Sequence, residues 1–203
     1  MSNSSTYRLF PIISTSHLGC ATLETEGSAV EEQLITTSKG VVIIDTRRYA
    51  MLKGSSIAID SYLLQFDGLS EPNPGASSGG AVLYDPSGKV VFEAGQFISF
   101  ATNNQAEYSG LILGLQTIAA QAPSGGTNLR IEGDSQLIIN QVAGQWKVKN
   151  DALKTLHASV HEALANPVFG NVGIKHVYRE NNKHADKLTN DVMKTRTSFL
   201  RMT

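Results

Sequence analysis

From Tyr62 onward the apolar and polar positions fall into a regular order of periods. Tyr62-Leu-Leu-Gln-Phe66 reads as a buried strand ending at Asp67-Gly68, and Gly79-Gly-Ala-Val-Leu-Tyr84 as a second strand after the turn-rich Glu71-Pro-Asn-Pro-Gly75. Asp85-Pro-Ser-Gly88 has hairpin-turn chemistry, and Lys89 to Ser99 alternates as a third strand, which predicts an antiparallel meander. The period then lengthens. Thr102-Asn-Asn-Gln105 is a capping-box signature before a helix with Leu111, Leu115 and Ile118 on one face, ending near Pro123. A short strand at Asn128–Ile131 ends at Gly133-Asp134-Ser135, and a helix follows through Leu137, Ile138 and Val142. A further helix at 151–166, a strand at 168–178 and a last helix from Asn181 to about Ser198 complete the order βββαβααβα. Such an order predicts an α/β fold, a mixed sheet with helices packed on it.

Residues 1–60 read differently, as an extension without recognisable chemistry. The opening is rich in Ser and Thr, has no acid before Glu24, and carries a single arginine, which gives an organellar transit peptide little support. A short acidic patch follows, then the β-rich run Gly40–Asp45, read as one strand. The chain thus divides into an extension (1–60), a domain (61–198) and a tail (199–203).

Composition narrows the classes. Of 203 residues, 41% are hydrophobic and 17% charged, so a core forms. No apolar run is long enough to cross a bilayer, which argues against an integral membrane protein; the expected location is intracellular, cytoplasmic or nuclear. Cys20 is the sole cysteine, which removes a disulfide framework and a thiolate zinc cage. The net charge of −1 is unevenly spread. From Lys175 to the end there are seven basic residues against three acids, +4, which leaves −5 for everything before it.

Four carboxylates fall at the ends of predicted elements: Asp67, Glu107, Asp134 and Asp186. Singly, each has an ordinary explanation as a turn residue, a helix-dipole partner, an N-cap or a surface acid. Together they are informative. If the strands ending at Asp67 and Asp134 pair in parallel, these acids sit side by side, and a helix crossing the sheet brings Glu107 to the same point. Such crowding is costly without a cation, and hard carboxylate oxygens suit Mg²⁺ or Mn²⁺.

Phe66-Asp67-Gly68, Asn73-Pro74-Gly75, Gly79-Gly80-Ala81, Thr102-Asn-Asn-Gln-Ala-Glu107-Tyr108, Gly133-Asp134-Ser135 and Arg179-Glu-Asn-Asn182-Lys-His-Ala-Asp186-Lys-Leu188 together resemble the type 1 ribonuclease H family in order and spacing, over roughly residues 61–195. The resemblance implies a ribonuclease H-like five-stranded mixed sheet, three antiparallel strands plus two parallel, flanked by helices. It implies two Mg²⁺ ions, with Mn²⁺ as a substitute. Asp67 would bridge them, Glu107 and Asp134 would complete the site at the leaving oxygen, and Asp186 would hold the ion that activates the attacking water. Two ions about 3.5–4 Å apart clamp the attacking and departing oxygens of an in-line displacement.

The same resemblance places Asn73, Asn103 and Asn104 at the minor groove of the substrate and Thr102 near a DNA phosphate, with Gln105 beside them. Short amides suit the 2′-hydroxyl, which both donates and accepts. His176 stands where some members carry a histidine that assists proton movement or product release, and Arg179 where others carry an arginine. Each also has a plain reading, a strand histidine with a satisfied ring and a loop cation. Trp146, the one tryptophan, either stacks on a sugar or serves as a packing anchor, and the Trp146-Lys-Val-Lys149 stub is shorter than the basic protrusion of many bacterial members.

The expected activity is endonucleolytic hydrolysis of the RNA strand of RNA–DNA hybrids, leaving 3′-hydroxyl and 5′-phosphate ends, by a monomer without membrane partners. Two alternatives remain at this point: the ribonuclease H portion of a retroelement polyprotein, and a non-catalytic nucleic-acid-binding module on the same fold. Four acids beside phosphate argue against the second.

Overall fold

In the computed structural model, residues 49–54, 60–121 and 126–203 are described in full, together with the backbone of three strands before them. Those three, β1 (Thr22–Thr25), β2 (Ser28–Thr37) and β3 (Gly40–Asp45), form an antiparallel sheet of their own in the order β1-β2-β3. The expected strand at Gly40–Asp45 is therefore present. Cys20 and the Ser/Thr-rich opening lie outside the described residues.

The main sheet is built from β4 (Ala50–Lys53), β5 (Tyr62–Ser70), β6 (Gly75–Tyr84), β7 (Val90–Ala101), β8 (Thr127–Gly133), β9 (Phe169–His176) and β10 (Phe199–Met202). Its order is β10-β7-β6-β5-β8-β9-β4. The predicted meander is the antiparallel set β5-β6-β7, and β8 and β9 add to β5 in parallel. Four helices complete the domain: α1 (Asn103–Gln121), α2 (Gln136–Val142), α3 (Asp151–Leu164) and α4 (Lys183–Thr195). Among the described residues no helix is long and apolar enough to cross a membrane.

The expected five strands are the centre of this sheet, and the structure adds one at each edge, so the sheet extends beyond residues 61–198 on both sides. At one edge, Arg196 closes α4 in the left-handed conformation (φ 51°), and the chain turns back to lay β10 antiparallel on β7, with Phe199 opposite Gly95. At the other edge, β4 runs antiparallel to β9. Lys53 donates to the carbonyls of Leu164 (3.4 Å) and Asn166 (3.2 Å), capping the end of α3 where its last carbonyls lack helical partners. Tyr49 donates from its hydroxyl to Glu132, which anchors the segment leading into β4.

Two boundaries also move. β5 does not end at Asp67, because its pairing with β6 continues to Ser70 opposite Ser77. The last helix is shorter than expected: a 3₁₀ turn at Arg179–Asn181 precedes it, and the left-handed Arg196 stops it.

The main core lies between the sheet and α1, α2 and α3, with Leu64, Phe66, Tyr108, Leu111, Leu115, Ile131 and Ile138 wholly buried. α4 packs on the other face over a smaller cluster of Val82, Ala185 and Leu188. Close approach of α1 to β5 depends on glycine. A Cβ on Gly68 would stand 2.0 Å from the Glu107 nitrogen, and one on Gly110 would stand 2.4 Å from the Asp67 carbonyl oxygen. The Asp-Gly pair thus sets an acid on the strand and lets the helix bearing Glu107 lie directly on it.

Candidate active site

Each acid reaches the site by a different element. Asp67 lies in β5, two residues beyond Gln65, where the parallel pairing with β8 stops, so it stands at the carboxyl end of that pairing. Asp134 follows the last residue of β8. Glu107 is the fifth residue of α1 and faces the sheet. The helix start is the predicted capping box: the Thr102 amide donates to Gln105 Oε1 (2.8 Å), and the Gln105 amide donates to Thr102 Oγ1 (3.4 Å).

Carboxylate oxygens of Asp67, Glu107 and Asp134 all lie within 4.8 Å of one another. Asp67 and Glu107 are buried, 8% and 6% exposed. Burial, with the charge of Asp134 next and that of Asp186 last, pushes Asp67 up to about 6, against hydrogen bonds from Thr189 and the Gly68 backbone. Burial and the charges of Asp67 and Asp134 hold Glu107 well above its usual range, opposed only by Arg179. Glu107 Oε2 is buried and has no hydrogen-bond partner. A buried, unpartnered carboxylate oxygen facing two more acids is what a hard divalent cation satisfies, so the residues present fit the metal.

Asp186 stands apart from this cluster. In the first turn of α4, its Oδ1 takes the Arg179 guanidinium at 2.5 Å and its Oδ2 accepts from Asn190 at 3.3 Å. Arg179 is otherwise exposed. His176 donates from Nε2 to the Asp134 carbonyl oxygen (3.1 Å) and meets Tyr178 edge-on, so its ring touches the backbone of a site acid. Trp146 is 47% exposed, so part of its ring is accessible to a partner while the rest is covered by the protein.

The polar residues Asn73, Thr102, Asn103, Asn104 and Gln105 line one cavity of about 370 Å³ together with Asn150, Ala152 and Leu153. Asn73 Oδ1 accepts from the Asn103 amide (3.0 Å), and Asn103 Oδ1 accepts from the Ser70 amide (3.2 Å). Asn150 caps α3 by accepting from the Leu153 amide. The N-termini of α1 and α3 therefore meet in one polar recess, where orphan amides and helix dipoles favour an anion.

Three supporting residues receive no role from the sequence, although Asn182 lies within the last of the matched motifs. Thr189, fully buried, lies 2.9 Å from Asp67 Oδ2 and 2.8 Å from the Asp186 carbonyl oxygen through one hydroxyl. Asn182, also fully buried, donates to the Phe66 carbonyl (2.8 Å) and to Asp134 Oδ1 (3.0 Å), tying the two site strands together. Asn150 is the third; its position just before Asp151 and a helical run was a usable N-cap signal. Nothing in the sequence marks Thr189, which reads as an ordinary helix residue.

The fold and the acid cluster define a ribonuclease H-like α/β protein, and comparison with known proteins narrows this. The family model described as "Reverse transcriptase-like" matches residues 65–192. Ribonuclease HI of Halobacterium salinarum is 39% identical over 128 residues, covering 63% of this chain and 62% of that protein. The crystal structure of RNase H1 from the same archaeon superposes with a TM-score of 0.61 at 36% identity, covering 66% of this chain and 98% of the other. LC11-RNase H1, solved in complex with an RNA/DNA hybrid, gives a TM-score of 0.64 at 29% identity, covering 67% of this chain and 99% of the other. The chain belongs to the type 1 ribonuclease H family. It spans about 62% of the length of the Halobacterium relative, and 35% of Bifunctional protein Rv2228c of Mycobacterium tuberculosis, which is 39% identical over 132 residues.

Proposed function

We propose that this chain hydrolyses the RNA strand of RNA–DNA hybrids, using divalent cations held by Asp67, Glu107, Asp134 and Asp186. The observation that carries the reading is the unpartnered, buried Glu107 Oε2 within reach of Asp67 and Asp134. Likeness to a hybrid-bound relative supports the substrate. Mg²⁺ is the proposed ion, with Mn²⁺ as substitute, because the donors are all carboxylate oxygens. Two such ions, when bound, supply a nucleophilic water at neutral pH and neutralise charge on the departing oxygen, giving 5′-phosphate and 3′-hydroxyl ends.

The chain's own residues do the rest. Thr189 and Asn182 hold Asp67 and Asp134 in position. The recess at the N-termini of α1 and α3 takes a backbone phosphate of the DNA strand, while Asn73, Asn103 and Asn104 meet the minor groove beside it. Arg179 stays charged at any working pH and is exposed at the mouth of the site, so it holds phosphate rather than moving protons. His176, anchored to the Asp134 carbonyl through Nε2, has its other ring nitrogen for proton movement or product release.

The test is gel analysis of a labelled RNA–DNA hybrid in Mg²⁺ and in EDTA, with single-stranded RNA, double-stranded RNA and DNA as controls. Cleavage confined to the hybrid and lost in EDTA supports the reading; hybrid cleavage unaffected by EDTA contradicts it.

A further inference from the structure

We propose that His157 and His161 form a second cation site, a bidentate imidazole chelate on the surface of α3 for one borderline transition-metal ion of the Cu²⁺, Ni²⁺ or Zn²⁺ class. Histidines four residues apart on a helix share a face, and His157-Ala-Ser-Val-His161 has the spacing that places two imidazoles on one metal in helical zinc motifs. The structure already brings the two nitrogens together: His161 Nε2 lies 3.2 Å from His157 Nε2, with ring centroids 4.5 Å apart. With metal–nitrogen bonds of 2.0–2.1 Å, that separation subtends about 100° at a shared ion, close to the tetrahedral angle.

His157 Nε2 also lies 3.1 Å from the Gln141 carbonyl oxygen, which can only accept. That carbonyl also accepts from the Gly144 amide (3.0 Å), so it does not depend on the imidazole, and His157 Nε2 can give its lone pair to an ion. An ion between the two nitrogens uses both lone pairs at once. Burial, then the neighbouring His157, holds His161 below its ordinary pKa, which keeps its ring in the neutral form that metals require.

Donor chemistry separates this site from the carboxylates. Imidazole nitrogens favour Cu²⁺, Ni²⁺ and Zn²⁺ over Mg²⁺, whereas the acid cluster offers only oxygen. Two protein ligands leave the remaining positions to water, so binding should be of moderate strength and readily reversed by a chelator.

The experiment titrates Cu²⁺ into the full chain, with Mg²⁺ in large excess, by calorimetry and by electron paramagnetic resonance. The wild-type protein should bind one Cu²⁺ with a two-nitrogen imidazole signature. His161→Ala, at an exposed helix position, should weaken that binding roughly tenfold or more, since the second ligand acts at high effective concentration. His157→Gln should do the same, and His161→Ala should keep the wild-type melting temperature without Cu²⁺. Equal Cu²⁺ affinity in wild type and His161→Ala, or no imidazole signature in the wild type, would overturn the proposal.

Discussion

Two clusters of ionisable groups beside α4 are resolved in opposite ways. On the side toward β6 and β7, Glu93 takes His184 Nε2 at 2.6 Å and Arg201 at 3.4 Å, while Tyr84 meets the other nitrogen of the same imidazole at 2.7 Å. Burial alone would raise Glu93, yet the hydrogen bond and charge of His184, then Arg201, bring it below its usual range. Toward the carboxyl ends of β5 and β8, Asp67 and Glu107 are pushed upward, and one Glu107 oxygen has no partner. The first cluster is a closed polar network that ties α4 and β10 to the sheet. The second is left open by the protein, and an open set of buried acids needs a ligand to complete it.

The largest effect should come from the open cluster. Asp67→Asn and Asp134→Asn keep side-chain shape but remove a charged ligand, and each should lower hybrid cleavage on the order of 10³-fold or more. The apo melting temperature should hold or rise, because like charges are relieved. Single-turnover cleavage and thermal melts check both halves, and near-wild-type turnover in either variant would remove that residue from the site.

Glu93→Ala should behave in the reverse sense. It leaves His184 and Arg201 without their acceptor, so stability should fall by about 1–3 kcal/mol while Mg²⁺ affinity stays close to wild type. Denaturant melts beside Mg²⁺ calorimetry would show it; a large loss of Mg²⁺ affinity at full stability would dissolve the contrast between the clusters.

A smaller effect is expected where α4 reaches the open cluster. Thr189→Val deletes the hydroxyl beside Asp67 but keeps the volume, and Mg²⁺ affinity should drop roughly tenfold, as for other residues that orient metal ligands. Thr189→Ser keeps the hydroxyl and should restore it. If valine and serine variants bind Mg²⁺ alike, Thr189 serves packing only.

Much of this was legible in the sequence because local rules and the fold agree. The meander, the capping box at Thr102–Gln105 and the acids at Asp67, Glu107, Asp134 and Asp186 carry local signals of turn, cap and spacing. What escaped lacks such signals. β4 and β10 are four residues each, too short for alternation to register, and their pairing is decided by neighbours distant in sequence. The β-rich run at Gly40–Asp45 pairs with β2 in the separate small sheet, and the weakly patterned Ala50–Lys53 takes the edge beside β9. His184 carries no local signal of its environment, and only the sheet shows that Glu93 and Tyr84 enclose it. Thr189 is invisible for the same reason, since its importance lies in a contact 122 residues away along the chain.

Acidity offers a gentler probe of the open cluster. Asp67 is raised to about 6 in the folded chain from an ordinary value of 3.8, so the folded state holds its proton more tightly than the unfolded state. Its ionisation therefore costs stability as pH rises through this window, and the penalty is complete above about 6. Glu107 acts in the same direction. The most direct measurement of the central claim is the melting temperature of the metal-free chain at pH 5 and pH 7.5, with and without Mg²⁺, in wild type and Asp67→Asn. A cation-completed cluster predicts a Mg²⁺-induced rise that is larger at pH 7.5 than at pH 5 and largely lost in Asp67→Asn. A wild-type melting temperature indifferent to Mg²⁺ at both pH values, or an equal rise in Asp67→Asn, would contradict it.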